Sequence, residues 1–312
     1  MPLPTFKGYA LAFSATLLWS GNFIVARGLA NDHSPVEISF WRWGIAFLAL
    51  APFTIKTIIE HLHLLKRAWG HILFLALTGV TLFNTAIYKA GHTTEATNMA
   101  LLAASSPIVM ALLARAFLGQ RLSRHQIWGI VTAVCGVLVL ISKGSLATFA
   151  ALTFAEGDIW MMAAVLFFAA YNLQLRKRPK EFPQTAFFAL LVSLGFFALV
   201  PGMGYLLLTG QATIPTVNAG AAMLYIGLGA GVTAFLCWNA AIEHIGIIRA
   251  GIIYYSIPFF ASVEAMIVLG ETMTLPQLLG GALILGGILY SVLGDALPAS
   301  ALINKAKAAR AP

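Results

Sequence analysis

Charge is the first thing this sequence lacks. Only 10% of its 312 residues are charged, against roughly 25% in soluble domains. Acids are scarcest, with 11 Asp and Glu against 19 Lys and Arg. The two cysteines, Cys135 and Cys237, each lie inside an apolar run. They read as small core residues, not as a disulfide or metal pair. No Gly-x-x-x-x-Gly-Lys-Ser/Thr loop occurs, which excludes that ATP-binding device. Neither Gly-x-Ser-x-Gly nor His-Glu-x-x-His occurs, so two common hydrolase arrangements are excluded as well. The first apolar run is full length, carries Asn22 and has no small-residue cleavage site after it, so no removable leader is expected.

What is present is apolar: 60% of the residues are hydrophobic. A soluble fold of this size has no interior large enough for them, so lipid must be the solvent for part of the chain. Spans of about 20 apolar residues fall at 8–28, 35–55, 69–90, 94–118, 126–142, 158–176, 183–208, 219–242, 247–269 and 276–294. The spacing therefore predicts an all-α membrane protein with ten transmembrane helices and very short loops at Gly91–Thr93 and Glu243–Gly246. With both cysteines inside apolar runs, no metal site is expected, and no cofactor is expected.

The net charge of +8 reads as topology, with no nucleic-acid partner. With the N-terminus inside, fifteen of the 19 Lys and Arg fall on the inner side. Arg27, Arg42, Lys89 and Lys143 fall outside or toward it. By the positive-inside rule both termini are cytoplasmic, in a multi-pass chain of the bacterial inner membrane.

The chain also repeats itself. Ala90, Pro107, Leu118, Gly119, Gln126, Gly129, Gly136 and Leu138 recur 151 positions later as Ala241, Pro258, Leu269, Gly270, Gln277, Gly280, Gly287 and Leu289. Trp19-Ser20-Gly21-Asn22-Phe23 lies where Phe168-Ala169-Ala170-Tyr171-Asn172 lies in the second half. Five spans per half is an odd number, so the halves must be inverted relative to each other around a central cavity. The expected division is 1–145 and 146–297 as two repeats, with 298–312 as a basic cytoplasmic tail. The sevenfold spacing of Gly129 and Gly136, and of Gly280 and Gly287, predicts close helix packing, as does Gly227-x-x-x-Gly231.

The Trp19–Asn22 patch, Arg42 in span 2, and Pro107 and Pro258 each followed by a Gly-Gln/Glu-x-x-Ser/Thr segment resemble the drug/metabolite transporter superfamily, EamA branch. Within it the chain is most similar to YddG-type exporters of aromatic amino acids and methionine. The resemblance implies export of a small metabolite through a cavity formed by both halves. A small-molecule substrate and the lipid bilayer are the expected partners, and the oligomeric state, a monomer among the options, stays open. Where that family often has Glu after the first glycine, this chain has Gln120. Alternating access moves the substrate, and the chain is not an enzyme. A transporter of another metabolite or drug class is the alternative; an intramembrane enzyme or an assembly subunit is a more distant one.

Polar groups are costly in lipid, so those inside the spans are the site candidates. For substrate binding these are Trp19, Asn22, Asn84, Tyr88, Asn98, Met99, Ser106, Tyr171, Trp238 and Tyr254. Pro107 and Pro258 are hinge candidates; each either kinks its span or frees a carbonyl, that of Ala103 or Tyr254, for a ligand. Glu264 and Arg42 are the coupling candidates. Arg42 either snorkels to the surface or attracts a substrate carboxylate. Trp69, Trp128 and Trp160, together with Trp41 and Trp43, read as interface residues. His92 and Glu243 read as loop residues. Replacing Asn22 or Tyr88 by alanine is expected to lower transport and leave folding intact.

Overall fold

A computed structural model describes residues 3–30, 32–94, 99, 102–145, 147, 150, 155–269 and 274–296. Among them there is no strand. The helices are α1 (Leu3–Leu29), α2 (Pro35–Glu60), α3 (Leu62–Ala76), α4 (Phe83–Thr93), α5 (Ser106–Leu118) and α6 (Arg124–Ser142). They continue as α7 (Glu156–Leu175), α8 (Gln184–Leu208), α9 (Val217–Leu224), α10 (Ala234–Tyr254), α11 (Ser256–Leu269) and α12 (Leu275–Ala296). Two π-helical stretches, Leu77–Leu82 and Tyr225–Thr233, join α3 to α4 and α9 to α10. The basic tail, Asn98 and residues 270–273 lie outside the described residues.

Seven helices among the described residues are long and apolar enough to cross a membrane. One of them, Val217–Tyr254, is really two. Gly246 has φ 80° and ψ 163°, a backbone that breaks the helix and favours glycine. Trp238 and Tyr254 flank it, and their ring centroids are 5.8 Å apart. A straight helix would hold residues 16 apart at about 24 Å. The chain therefore folds back on itself at Gly246. Glu243 is the last part of a helix and not a loop residue, and His92 likewise closes α4.

The prolines sit just after an interruption in their spans, with helical residues on both sides. Ala104 and Ser105 form a turn before α5, and Pro107 sits in its first turn. Tyr255 forms a turn before α11, and Pro258 sits in the first turn there. At such a position the missing N–H is one that has no partner within the helix anyway. The segment after Pro107 is a stop and a restart. Gly119, at φ 63°, ends α5, and Ser123 with Gln126 forms a capping box that starts α6. At the matching place Gln277 accepts from the Thr274 backbone N–H at 2.9 Å. This explains the repeated Ser/Thr-x-x-Gln as cap chemistry.

The glycines make a crossing. α6 packs along α12. A Cβ on Gly129 would lie 2.7 Å from the Gly287 carbonyl oxygen, and one on Gly136 would lie 2.6 Å from that of Gly280. The low number on one helix meets the high number on the other, so the two run antiparallel. α1 packs on α10, α2 on α8 and α4 on α7. Cys135 faces outward and Cys237 is half-buried, so Cys135 is not the core residue its apolar setting suggested. Trp69, Trp128 and Trp160 are exposed, whereas Trp43 is fully buried. Trp43 is thus a core residue and not an interface one, because α2 turns that face inward onto Phe235, 5.5 Å away between centroids.

Candidate functional site

The centre of the bundle holds a polar cluster around Arg42. This residue does not snorkel: it is 1% exposed. Its Nη1 donates to Asn22 Oδ1 at 2.6 Å and to the Tyr88 hydroxyl at 2.9 Å, and its Nη2 donates to the Ala230 carbonyl at 3.0 Å. The guanidinium also lies 5.1 Å from the centroid of the Trp43 ring. Gly227 makes the approach possible, since a Cβ there would sit 2.8 Å from Ile45 Cβ and 3.1 Å from the Arg42 carbonyl oxygen. The Ala230 carbonyl belongs to the second π-helical stretch. Wide-pitch turns of this kind leave irregular carbonyls, and here two side chains use one of them: Trp19 Nε1 donates to the same oxygen at 3.0 Å.

Trp19 is also the hub of a ring cluster. Its centroid is 5.2 Å from Trp238, 5.3 Å from Phe235, 5.6 Å from Phe168 and 6.2 Å from Tyr254. Most of these pairs are edge-on or tilted, the favourable arrangements for aromatic quadrupoles. Phe83 stacks on Phe168 at 4.8 Å. A second polar pair lies beyond the rings. Tyr171 donates to Asn239 Oδ1 at 3.1 Å, and Trp238 Nε1 donates to Asn172 Oδ1 at 2.7 Å.

Two cavities flank the rings. A vestibule of about 610 Å³ is walled by Arg176, Arg178, Lys180, Gln184, Asn239 and Glu243, among others. That volume is in the range of small-molecule sites. Arg178 and Glu243 form an ion pair at 2.6 Å across it. On the other side of the rings, Trp19, Asn22, Arg42, Phe83, Asn84 and Tyr254 enclose only about 10 Å³, room for one water at most. The far end of the bundle is laced shut. Thr213 donates through its N–H and its hydroxyl to Glu37 Oε1 at 2.6 and 2.9 Å, and its hydroxyl lies 2.6 Å from His33 Nδ1. Thr94 donates to Asp158 on the same face.

A family model described as the EamA-like transporter family matches residues 6–142 and, a second time, residues 155–293. The chain belongs to that family. An uncharacterized transporter of Archaeoglobus fulgidus is 26% identical over 90% of this chain and 96% of its own length. A probable terminal-alkyne amino-acid exporter of Streptantibioticus cattleyicolor is 29% identical, covering 87% of this chain and 88% of its own. A probable amino-acid metabolite efflux pump of Salmonella typhimurium is 26% identical over 91% and 94%. Among the solved structures that match is a crystal structure with a TM-score of 0.72 at 17% identity, covering 92% of this chain and 96% of that one; it supports the fold alone.

In this EamA-like chain the expected site residues fall in three places. Trp19, Asn22, Arg42, Asn84 and Tyr254 line the small pocket, and Tyr88 is bonded to two of them. Ser106 is buried at the start of α5. Tyr171 is bonded to Asn239, which lines the vestibule, and Trp238 is itself one of the clustered rings. Met99 is buried against Gly91, and the chain breaks near Pro107 and Pro258 lie just beside the rings, Tyr254 being the last residue before one of them. Glu264 is apart from the pocket: Ser20 donates to its Oε1 at 2.8 Å, while its Oε2 is buried without a partner. Unforeseen were Phe83, Phe168, Phe235 and the Ala230 carbonyl. Phe168 had one signal, its match to Trp19 in the other half.

Proposed function

We propose that this chain is a secondary transporter that exports small metabolites, amino acids foremost, across the inner membrane by alternating access. The observation that carries this reading is the one-sided cavity: a vestibule ends at a ring cluster, behind which polar groups surround a collapsed pocket. The moving parts are two inverted five-helix repeats, 1–145 and 146–297, making ten spans. Support for inversion comes from the glycine crossing. The pair Gly129–Gly287 becomes the pair Gly280–Gly136 when each residue is exchanged for its counterpart 151 positions away. The π-helical stretches, the turns at Ala104–Ser105 and Tyr255, and the two family matches are placed in the same way. Amino acids are favoured by the names of two relatives. The lysine and arginine distribution supports a vestibule and both termini on the cytoplasmic side, which suits export.

Counterflow in proteoliposomes tests this. Labelled phenylalanine or methionine outside should accumulate against unlabelled substrate inside. An imposed pH step should bias the flux, and Glu264→Gln should remove that bias. Absence of flux for every amino acid tried overturns the amino-acid reading.

Tyr88 is 1% exposed, so alanine there would open a cavity as well as remove a hydroxyl. Tyr88→Phe is the cleaner variant. It takes one acceptor from Arg42, a hydrogen bond to a charged group of roughly 1.5–3 kcal/mol. Flux is expected to fall about tenfold, with the melting midpoint in detergent lowered by several degrees, as a loss of roughly 1.5–3 kcal/mol requires.

A further inference from the structure

Resting on that reading of the site, we propose that Arg42 is an anion subsite, and that the pathway selects its substrate by a carboxylate without requiring an ammonium group. Arg42 is the only buried lysine or arginine among the described residues. A cation taken out of water normally needs an anion. Here all its partners are neutral: an amide oxygen, a phenol and a backbone carbonyl. Its Nε is buried with no partner at all. No acid forms an ion pair with Arg42 among the described residues. Glu37 caps Ser34 and holds Thr213, Asp158 serves Thr94 and Ala155, and Glu264 accepts from Ser20 with one oxygen while the other is buried without a partner.

The surroundings point the same way. Arg42 faces a pocket whose remaining walls include Trp19, Phe83, Ile87 and Tyr254, suited to an aryl or alkyl tail. No acid lines that pocket, so an ammonium group would find no opposite charge. The vestibule adds Arg176 and Lys180, and its one acid, Glu243, is neutralised by Arg178. The route is therefore positive from mouth to centre, a field that concentrates anions. In the collapsed pocket Asn22 and Tyr88 hold the guanidinium fork. When the rings part, a carboxylate takes their place, and a planar fork receives it with two parallel hydrogen bonds.

Three probes with one skeleton test this on the purified full chain, by ligand-induced thermal shift and tryptophan fluorescence titration: phenylalanine, 3-phenylpropionate and 2-phenylethylamine. Both acids are expected to bind within about threefold of each other and the amine at least about tenfold more weakly, as a charge-assisted bond to Arg42 requires. Arg42→Gln should weaken both acids about tenfold or more and leave the amine unchanged, with Arg42→Lys between. The subsite is overturned if the amine binds as well as the acids, if neither acid binds, or if Arg42→Gln keeps acid affinity. Binding of 3-phenylpropionate without phenylalanine upholds the subsite and removes the amino-acid reading. Binding of phenylalanine alone does the reverse. Should Arg42→Gln fail to fold, the three-probe ranking on the wild type and on Arg42→Lys decides.

Discussion

Gly280→Leu is expected to leave little folded protein to purify, while Gly286→Leu on the same helix purifies like the wild type. A Cβ on Gly280 would stand 2.7 Å from both the Gly136 carbonyl oxygen and the Leu140 backbone nitrogen, and 2.8 Å from Leu140 Cβ. Backbone atoms have no rotamer to yield, so the two helices must separate along their length. Overpacking by one methylene costs about 1–3 kcal/mol in a core that can shift. A leucine at a backbone-to-backbone crossing exceeds that, and the same separation strips contacts at Gly129, Gly136 and Gly287. Gly286 has nothing within 4 Å of its Cβ position and supplies the control. The readout is monodisperse yield and melting midpoint in detergent. Equal midpoints for the two variants would sink the close-crossing account.

That crossing also marks how far the sequence could be read. Glycine every seven residues told that something approaches α6 and α12 closely. It did not tell that each is the other's partner, because small residues name a face and not what lies on it. Gly246 was legible as a reversal because a break in an apolar run is visible. The π-helical stretches were not. Their residues, such as Leu77–Leu82, are apolar or small on every face, and one extra residue per turn leaves no mark on a pattern without a polar side. The prolines lie within their spans, and sequence alone does not reveal that the helices are interrupted at Ala104–Ser105 and Tyr255.

For the site, cost was the useful signal. Asn22, Asn84, Tyr88, Arg42 and Glu264 stood out because lipid tolerates such groups poorly, and all but Glu264 converge on the Arg42 pocket. Direction was not legible. Arg42 near the end of an apolar run is compatible with pointing outward or inward, and the choice is made by Gly227 on another helix. Trp43 was misplaced for the same reason: position along a helix does not fix the face. Phe83 and Phe235 carry no distinguishing mark among 21 phenylalanines; Phe168 carries only its match to Trp19.

Trp19→Ala is expected to abolish counterflow, whereas Trp19→Phe keeps most of it. Trp19 touches four other rings within 6.2 Å between centroids, and these rings stand between the vestibule and the Arg42 pocket. Edge-on aromatic pairs are worth about 0.5–1.5 kcal/mol each beyond burial. Losing several removes roughly 3 kcal/mol from the surface that closes around a substrate, or about 100-fold in rate if that surface acts in the transition state. Phenylalanine restores most of the edge contacts. It loses only the indole N–H, and the Ala230 oxygen keeps its bond from Arg42. Burial of Trp19 means that alanine also costs stability, about 3–5 kcal/mol, so flux must be normalised to folded protein and read beside the melting midpoint. A folded Trp19→Ala protein with wild-type counterflow would remove the ring cluster from the pathway. A Trp19→Phe protein as poor as the alanine variant would shift the weight from the ring to the N–H, and so to the carbonyl that the π-helical turn presents.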